Sequence, residues 1–132
     1  TVYAAAADVF AEFTWTPGSS EVLDWQFRRT DDNNCQILRC DQAAGNIKLF
    51  DKVAGVETQV GSTATQTWTV GTPRRIVVLT GGTKIASYVA GTIKISQTST
   101  ANQTATGMKL TGFATGTTLL ARARAVTLSP LA

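Results

Sequence analysis

The sequence predicts an all-β protein built from antiparallel strands. Threonine supplies about one residue in six, and with valine and isoleucine it enriches the chain in β-branched side chains that fit a pleated, half-buried surface. Short segments of alternating apolar and polar residues are separated by Gly, Pro, Asn and Asp at spacings of about 8–12 residues, the pattern of a sandwich or barrel. No ten-residue stretch carries a 3.6-residue apolar period, so no amphipathic helix is expected. At 132 residues the chain holds one domain, spanning 1–132, with no room for a second core.

About ten strands follow from the pattern. Residues 9–15 set Val9, Ala11, Phe13 and Trp15 against Phe10, Glu12 and Thr14, and end at the turn formers 16–20. Residues 22–29 set Leu23, Trp25 and Phe27 against Asp24, Gln26 and Arg28, which predicts one apolar and one wet face. Asp31, Asp32, Asn33 and Asn34 break this strand, and 35–40 returns as its antiparallel partner. A turn at 41–45 leads to a strand carrying Ile47, Leu49 and the neighbouring Phe50, which Ala54 and Gly55 end. A short strand at 56–60 and a polar connection at 61–67 follow. Pro73 forbids a helix and turns the chain into 74–80, where Ile76, Val77, Val78 and Leu79 form an unbroken apolar run expected at the centre of a sheet, covered on both faces. Gly81-Gly82 and Gly91-Thr92 turn the chain twice, so strands 74–80, 84–90 and that of Ile93 and Ile95 form a meander. After a polar loop at 96–106, two last strands, 107–113 and 119–128, flank a turn at 114–116.

The composition excludes several kinds of chemistry. There is no histidine, which removes the usual neutral-pH base, the commonest metal ligand and every Ser-His or Cys-His dyad. Twelve Lys and Arg against nine Asp and Glu leave a net charge of +3, spread too thinly for a nucleic-acid stripe. No apolar run approaches the roughly 20 residues of a membrane span, and the first residues lack the pattern of a signal peptide. The chain begins with Thr1 rather than Met, as expected of a processed protein or of a piece of a longer polypeptide. Cys35 and Cys40, five residues apart on one strand, stand about 16 Å apart and face opposite ways, too far for a disulfide. They are expected as free, buried packing residues of a protein folded in a reducing compartment.

The order of three segments, FRRTDDNNCQILRCDQAAGNIKLFDKVAG, WTVGTPRRIVVLTGGTKIASYVAG and TGMKLTGFATG, resembles the concanavalin A-like lectin/glucanase superfamily, in particular its laminin-G-like jelly-roll domains, over about residues 9–128. The resemblance implies an antiparallel β-sandwich of jelly-roll type. Glucanases of that superfamily resemble one another in a strand bearing two Glu around an Asp at alternate positions. Glu12, Glu21 and Glu57 are far apart in this sequence, and the odd offset of Glu21 and Asp24 points them to opposite faces, so the implied role is adhesive or structural, not enzymatic. The resemblance further implies a virion component of a bacteriophage (a tail, fibre or decoration protein assembled in the host cytoplasm) whose partners are other virion subunits or a cell-surface glycan. Homo-oligomers, no membrane insertion and no nucleic acid belong to the same expectation. Two alternatives stay open: an extracellular carbohydrate-binding module of an exported bacterial enzyme, and a glycosidase with an unrecognised site.

The candidate site residues are few. Trp15 and Trp68, at strand or turn ends, and Tyr88, facing away from Ile85, Ser87 and Val89, are the candidates for a platform on which a sugar ring stacks, whereas Trp25 between Leu23 and Phe27 reads as core. Asp31, Asp32, Asn33 and Asn34 read either as a hairpin turn or as oxygen ligands, calcium being the metal such groups take; no other cofactor is expected. Arg28, Arg39, Arg74, Arg122 and Arg124 read as cross-strand partners of Asp24, Asp41 and Asp51, or as a patch for an acidic glycan or a partner subunit.

Overall fold

The computed structural model describes residues 2–3, 8–113 and 119–127. Among these, every regular element is a strand: β1 (Val2–Tyr3), β2 (Val9–Thr16), β3 (Val22–Asp31), β4 (Asn34–Asp41), β5 (Asn46–Val53), β6 (Val56–Gln59), β7 (Ala64–Thr65), β8 (Arg74–Gly81), β9 (Lys84–Val89), β10 (Thr92–Thr98), β11 (Gly107–Phe113) and β12 (Leu119–Thr127). Setting aside the two-residue β1 and β7 leaves the ten strands the sequence predicts. The turn expected at 114–116 lies outside the described residues, as do the side chains of Arg122 and Arg124.

The strands form two antiparallel sheets. The larger runs β1-β11-β3-β4-β5-β6, with β7 also on β5, and the smaller runs β10-β9-β8-β2-β12. Alternation along each strand decides which residues lie between them. Leu23, Trp25, Phe27, Leu38, Cys40, Ile47, Leu49 and Met108 point inward from the larger sheet, and Ala11, Phe13, Trp15, Ile76, Val78, Ile85, Val89 and Ile95 from the smaller. Phe13 and Trp25 stack across the interior with ring centroids 5.3 Å apart. β8 lies at the centre of its sheet, as its apolar run predicts. Only one of its faces is fully covered, because Ile76 and Val78 are buried while Val77 and Leu79 are half-buried on the outside.

Two local features depart from the expected pattern. The residues of β3 read as wet are enclosed: Asp24, Gln26 and Arg28 are all buried, Asp24 under Arg39 of β4, Gln26 bonded to Arg29 of its own strand, and Arg28 bonded outside its own sheet. The pairing of β3 with β4 also shifts between Phe27 and Asp31. Arg28 sits in that bulge with φ of 42°, and its guanidinium donates to Asp8 Oδ1 at 3.0 Å and to the Gly82 carbonyl, tying the larger sheet to the β8–β9 turn of the smaller one.

Candidate functional site

The outer face of the larger sheet is assembled by register. With Leu38 and Cys40 of β4 turned inward, Cys35, Ile37 and Arg39 face outward. Ile37 stands opposite Gln26 on β3 and Phe50 on β5, and Cys35 opposite Lys52. Cys35 and Ile37 are buried yet absent from the core between the sheets, so they form a second apolar floor, on the outside, under longer side chains. Burial pushes the Cys35 thiol up to about 11 and the Cys40 thiol well above its ordinary value. Both cysteines are free, and β4 turns them to opposite faces as the spacing predicts.

Arg39 is the hub of this face. Its Nε and Nη2 donate to the two carboxylate oxygens of Asp24, both at 2.8 Å, and Nη1 and Nη2 donate to Glu57 at 3.1 and 3.2 Å. The guanidinium carbon sits 4.8 Å from the centroid of the Phe50 ring, within cation–π range. One guanidinium thus joins β3, β4, β5 and β6. The bonds to Asp24 and Glu57 hold its charge well above the ordinary arginine range, against the opposing effect of burial. Asp24 is almost fully enclosed, while a quarter of the Arg39 side chain and a third of that of Glu57 reach solvent. At the β3–β4 turn, Arg29 and Lys109 share the Asp32 carboxylate at 2.8 and 2.9 Å.

This arrangement suits recognition of a hydroxylated ligand. Four of the five guanidinium N–H groups are spent on the two carboxylates, so one remaining Nη1 N–H, the partly exposed Glu57 carboxylate and the Phe50 ring lie side by side in a fixed arrangement. Of the expected residues, Arg39 and Asp24 do form a cross-strand pair. Asp41 instead accepts the Ala44 N–H of its own turn, and Asp51 accepts from Gln36 and Ser99.

The expected stacking platform is not assembled. Trp15 and Trp68 are both buried and pack edge to face against each other, 4.9 Å between centroids. Trp68 Nε1 donates to the Asn46 carbonyl, so a residue placed at a turn end by the sequence is drawn into the interior by its ring area and one hydrogen bond, and neither indole offers a face to solvent. Tyr88 lies on the opposite side of the molecule, half-buried on the outer face of the smaller sheet opposite Val77 and Ile93. Near it a cleft of about 460 Å³ opens, lined by Leu79, Lys84, Ala86, Ser96, Gln97 and Thr98 among others.

Asp31, Asp32, Asn33 and Asn34 make the β3–β4 turn. Asp31 Oδ1 accepts the Asn33 N–H at 2.8 Å and the Asn34 side-chain amide at 3.1 Å, and Asn34 Oδ1 accepts the Ala54 N–H of the neighbouring hairpin. Asp32 is engaged by two cations, Arg29 and Lys109, whereas Asp31 is bonded within the turn to Asn33 and Asn34. Among the described residues no three His, Cys, Asp or Glu side chains come together to hold a metal.

Phe50 and Glu57 are not among the binding residues that the sequence suggests, although a signal for Phe50 is present. Ile47 and Leu49 set the inward phase of β5, which leaves Phe50 as a large apolar side chain on the polar phase. Glu57 carries no such mark, because only the folding of β6 onto β5 brings it near Arg39.

No family model matches the chain, and no curated protein matches it in sequence. In fold it is similar to the carbohydrate binding module CBM66 from Bacillus subtilis, with a TM-score of 0.79 at 15% identity over 92% of this chain and 77% of that one. It is also similar to sheep galectin-11 (0.69, 12% identity, 95% and 93% covered) and to the Caenorhabditis elegans galectin LEC-6 (0.71, 12%, 95% and 86%). The fold is therefore the all-β jelly-roll sandwich of lectin type that the sequence resemblance implies.

Proposed function

We propose that this domain is a non-catalytic carbohydrate-binding module that holds a glycan on the outer face of its larger sheet, at Arg39, Glu57 and Phe50, with the enclosed Asp24 fixing the guanidinium. The observation that carries the reading is the Arg39 guanidinium, clamped by two carboxylates and laid against an aromatic ring at a partly exposed position. Sugars present paired hydroxyls on one edge and C–H groups on one face, and a site for them needs donors and acceptors at fixed spacing beside an apolar surface. The likeness of fold to a protein titled as a carbohydrate binding module supports the same reading.

The arrangement favours binding over turnover. Glycoside hydrolysis uses two carboxyl groups flanking the scissile bond, one as proton donor and one as base or nucleophile. Asp24 and Glu57 instead share one guanidinium that lies between them. Of the other glutamates, Glu21 is buried and accepts the Gly18 N–H, and Glu12 pairs with Arg75 across the smaller sheet.

The test is affinity electrophoresis of the chain through gels containing a panel of neutral and acidic polysaccharides, with released reducing ends assayed in parallel. The expected result is retardation by at least one polysaccharide without release of sugar. It is weakened about tenfold by Glu57→Gln, which removes one charged acceptor at a position that reaches solvent. Free mobility in every gel would overturn the reading, and so would release of reducing ends.

A further inference from the structure

The charge on this same face selects among glycans, and the inference rests on the binding reading above. Both carboxylates nearest Arg39 are engaged by it, and Asp32 is shared by Arg29 and Lys109. That leaves Lys48 and Lys52, which flank Phe50 on the outward phase of β5 and have no carboxylate within ion-pair distance among the described residues. Lys48 stands directly opposite Arg39 in the β4–β5 register. Lys48 has no ion-pair partner of its own among the described residues, whereas the charge of Arg39 opposite it is already offset by Asp24 and Glu57. Lys52 stands opposite Glu57 in the β5–β6 register, but that carboxylate is bonded to Arg39. The strand thus presents cation, ring, cation at two-residue spacing, and the two ammonium groups stand on either side of Phe50 along about 13 Å of strand.

We propose that the glycan held by this face is anionic, a sugar bearing a carboxylate or a sulfate that Lys48 or Lys52 neutralises while the ring beside that group packs at Phe50 and Arg39. An ammonium without an ion-pair partner gains a charge-assisted hydrogen bond from such a ligand. A neutral sugar does not supply it.

The experiment is calorimetric titration of the chain with size-matched oligosaccharides of three kinds, neutral, uronate-bearing and sulfated, and with a single-stranded oligonucleotide of the same charge. An anionic oligosaccharide is expected to bind about tenfold more tightly than the neutral one, and the preference is expected to shrink as salt is raised. The double variant Lys48→Gln, Lys52→Gln should abolish the preference, and circular dichroism of the variant should match that of the unsubstituted chain, since both side chains are outward. The uronate and sulfate arms identify which anion is taken. Equal affinity for neutral and anionic sugars would overturn this inference and leave the glycan-binding reading standing. Absence of binding to all three kinds would overturn both. Equal affinity for the oligonucleotide would show a general polyanion surface, which also contradicts it.

Discussion

At the scale of single residues, Arg39 does two things that substitution separates. Its geometry holds a site, and its charge neutralises Asp24, whose side chain is only 3% exposed. Arg39→Ala leaves that carboxylate enclosed without its cation and should cost about 3 kcal/mol, read as a lower urea midpoint. Arg39→Lys keeps the charge but loses the planar two-oxygen grip on Asp24. It should fold with a smaller loss and bind glycan at least about tenfold more weakly. A lysine variant that binds as well as the unsubstituted chain would show that the guanidinium geometry is irrelevant to the ligand. The cysteines give a second prediction. Since burial raises the Cys35 thiol from 9.0 to about 11, it stays protonated in the folded chain while an unfolded chain ionises. Its contribution to stability is fully present below 9.0 and is lost as the pH rises through about 11. Alkylation at about pH 8 should therefore modify neither cysteine in the native protein and both after unfolding, as mass spectrometry would read.

At the scale of elements, strands were legible wherever alternation and turn residues agreed. Residues 9–15, 22–29 and 35–40 and the meander from 74 onward all form as the pattern predicts. Facing was less legible where a strand end meets a connection. Trp68 has no strand of its own to assign it a side, and its burial depends on Trp15 from β2 and the Asn46 carbonyl at the start of β5, partners far away in sequence. Trp68→Ala should accordingly cost as much as Trp25→Ala, about 3–5 kcal/mol each, and denaturant unfolding of the two variants checks this. A Trp68 variant close to the unsubstituted stability would contradict the packing described. Gly107 gives a test of register. A Cβ at this position would collide with the Arg29 carbonyl of the paired strand, next to the shift in the β11–β3 pairing. Gly107→Ala should destabilise by about 1–3 kcal/mol, while Gly81→Ala, where a Cβ meets open space, should change stability by less than about 1 kcal/mol.

At the scale of the whole molecule, the sandwich was readable because each strand carries its own inside and outside, whereas the candidate site was not, because it is a product of register. Arg39 and Asp24 could be paired in the sequence reading as neighbours on a hairpin. Glu57 reaches them only because β6 folds onto β5 and the guanidinium crosses a strand above Phe50. The sequence signal for a sugar platform, exposed aromatic rings at strand ends, pointed to Trp15 and Trp68, and these two largest fully enclosed side chains serve the interior instead. The two outer faces now make different claims on function: the larger sheet offers the charged hub, and the smaller offers Tyr88 and the cleft beside Leu79 and Ala86. Backbone amide shifts of isotope-labelled protein, followed by nuclear magnetic resonance during titration with a glycan that retards the chain, distinguish them in one measurement. Perturbations gathered on β3, β4, β5 and β6 around Asp24, Arg39, Phe50 and Glu57 are expected; perturbations gathered instead on β8, β9 and β10 around Tyr88 and Ala86 would contradict a glycan site on the larger sheet.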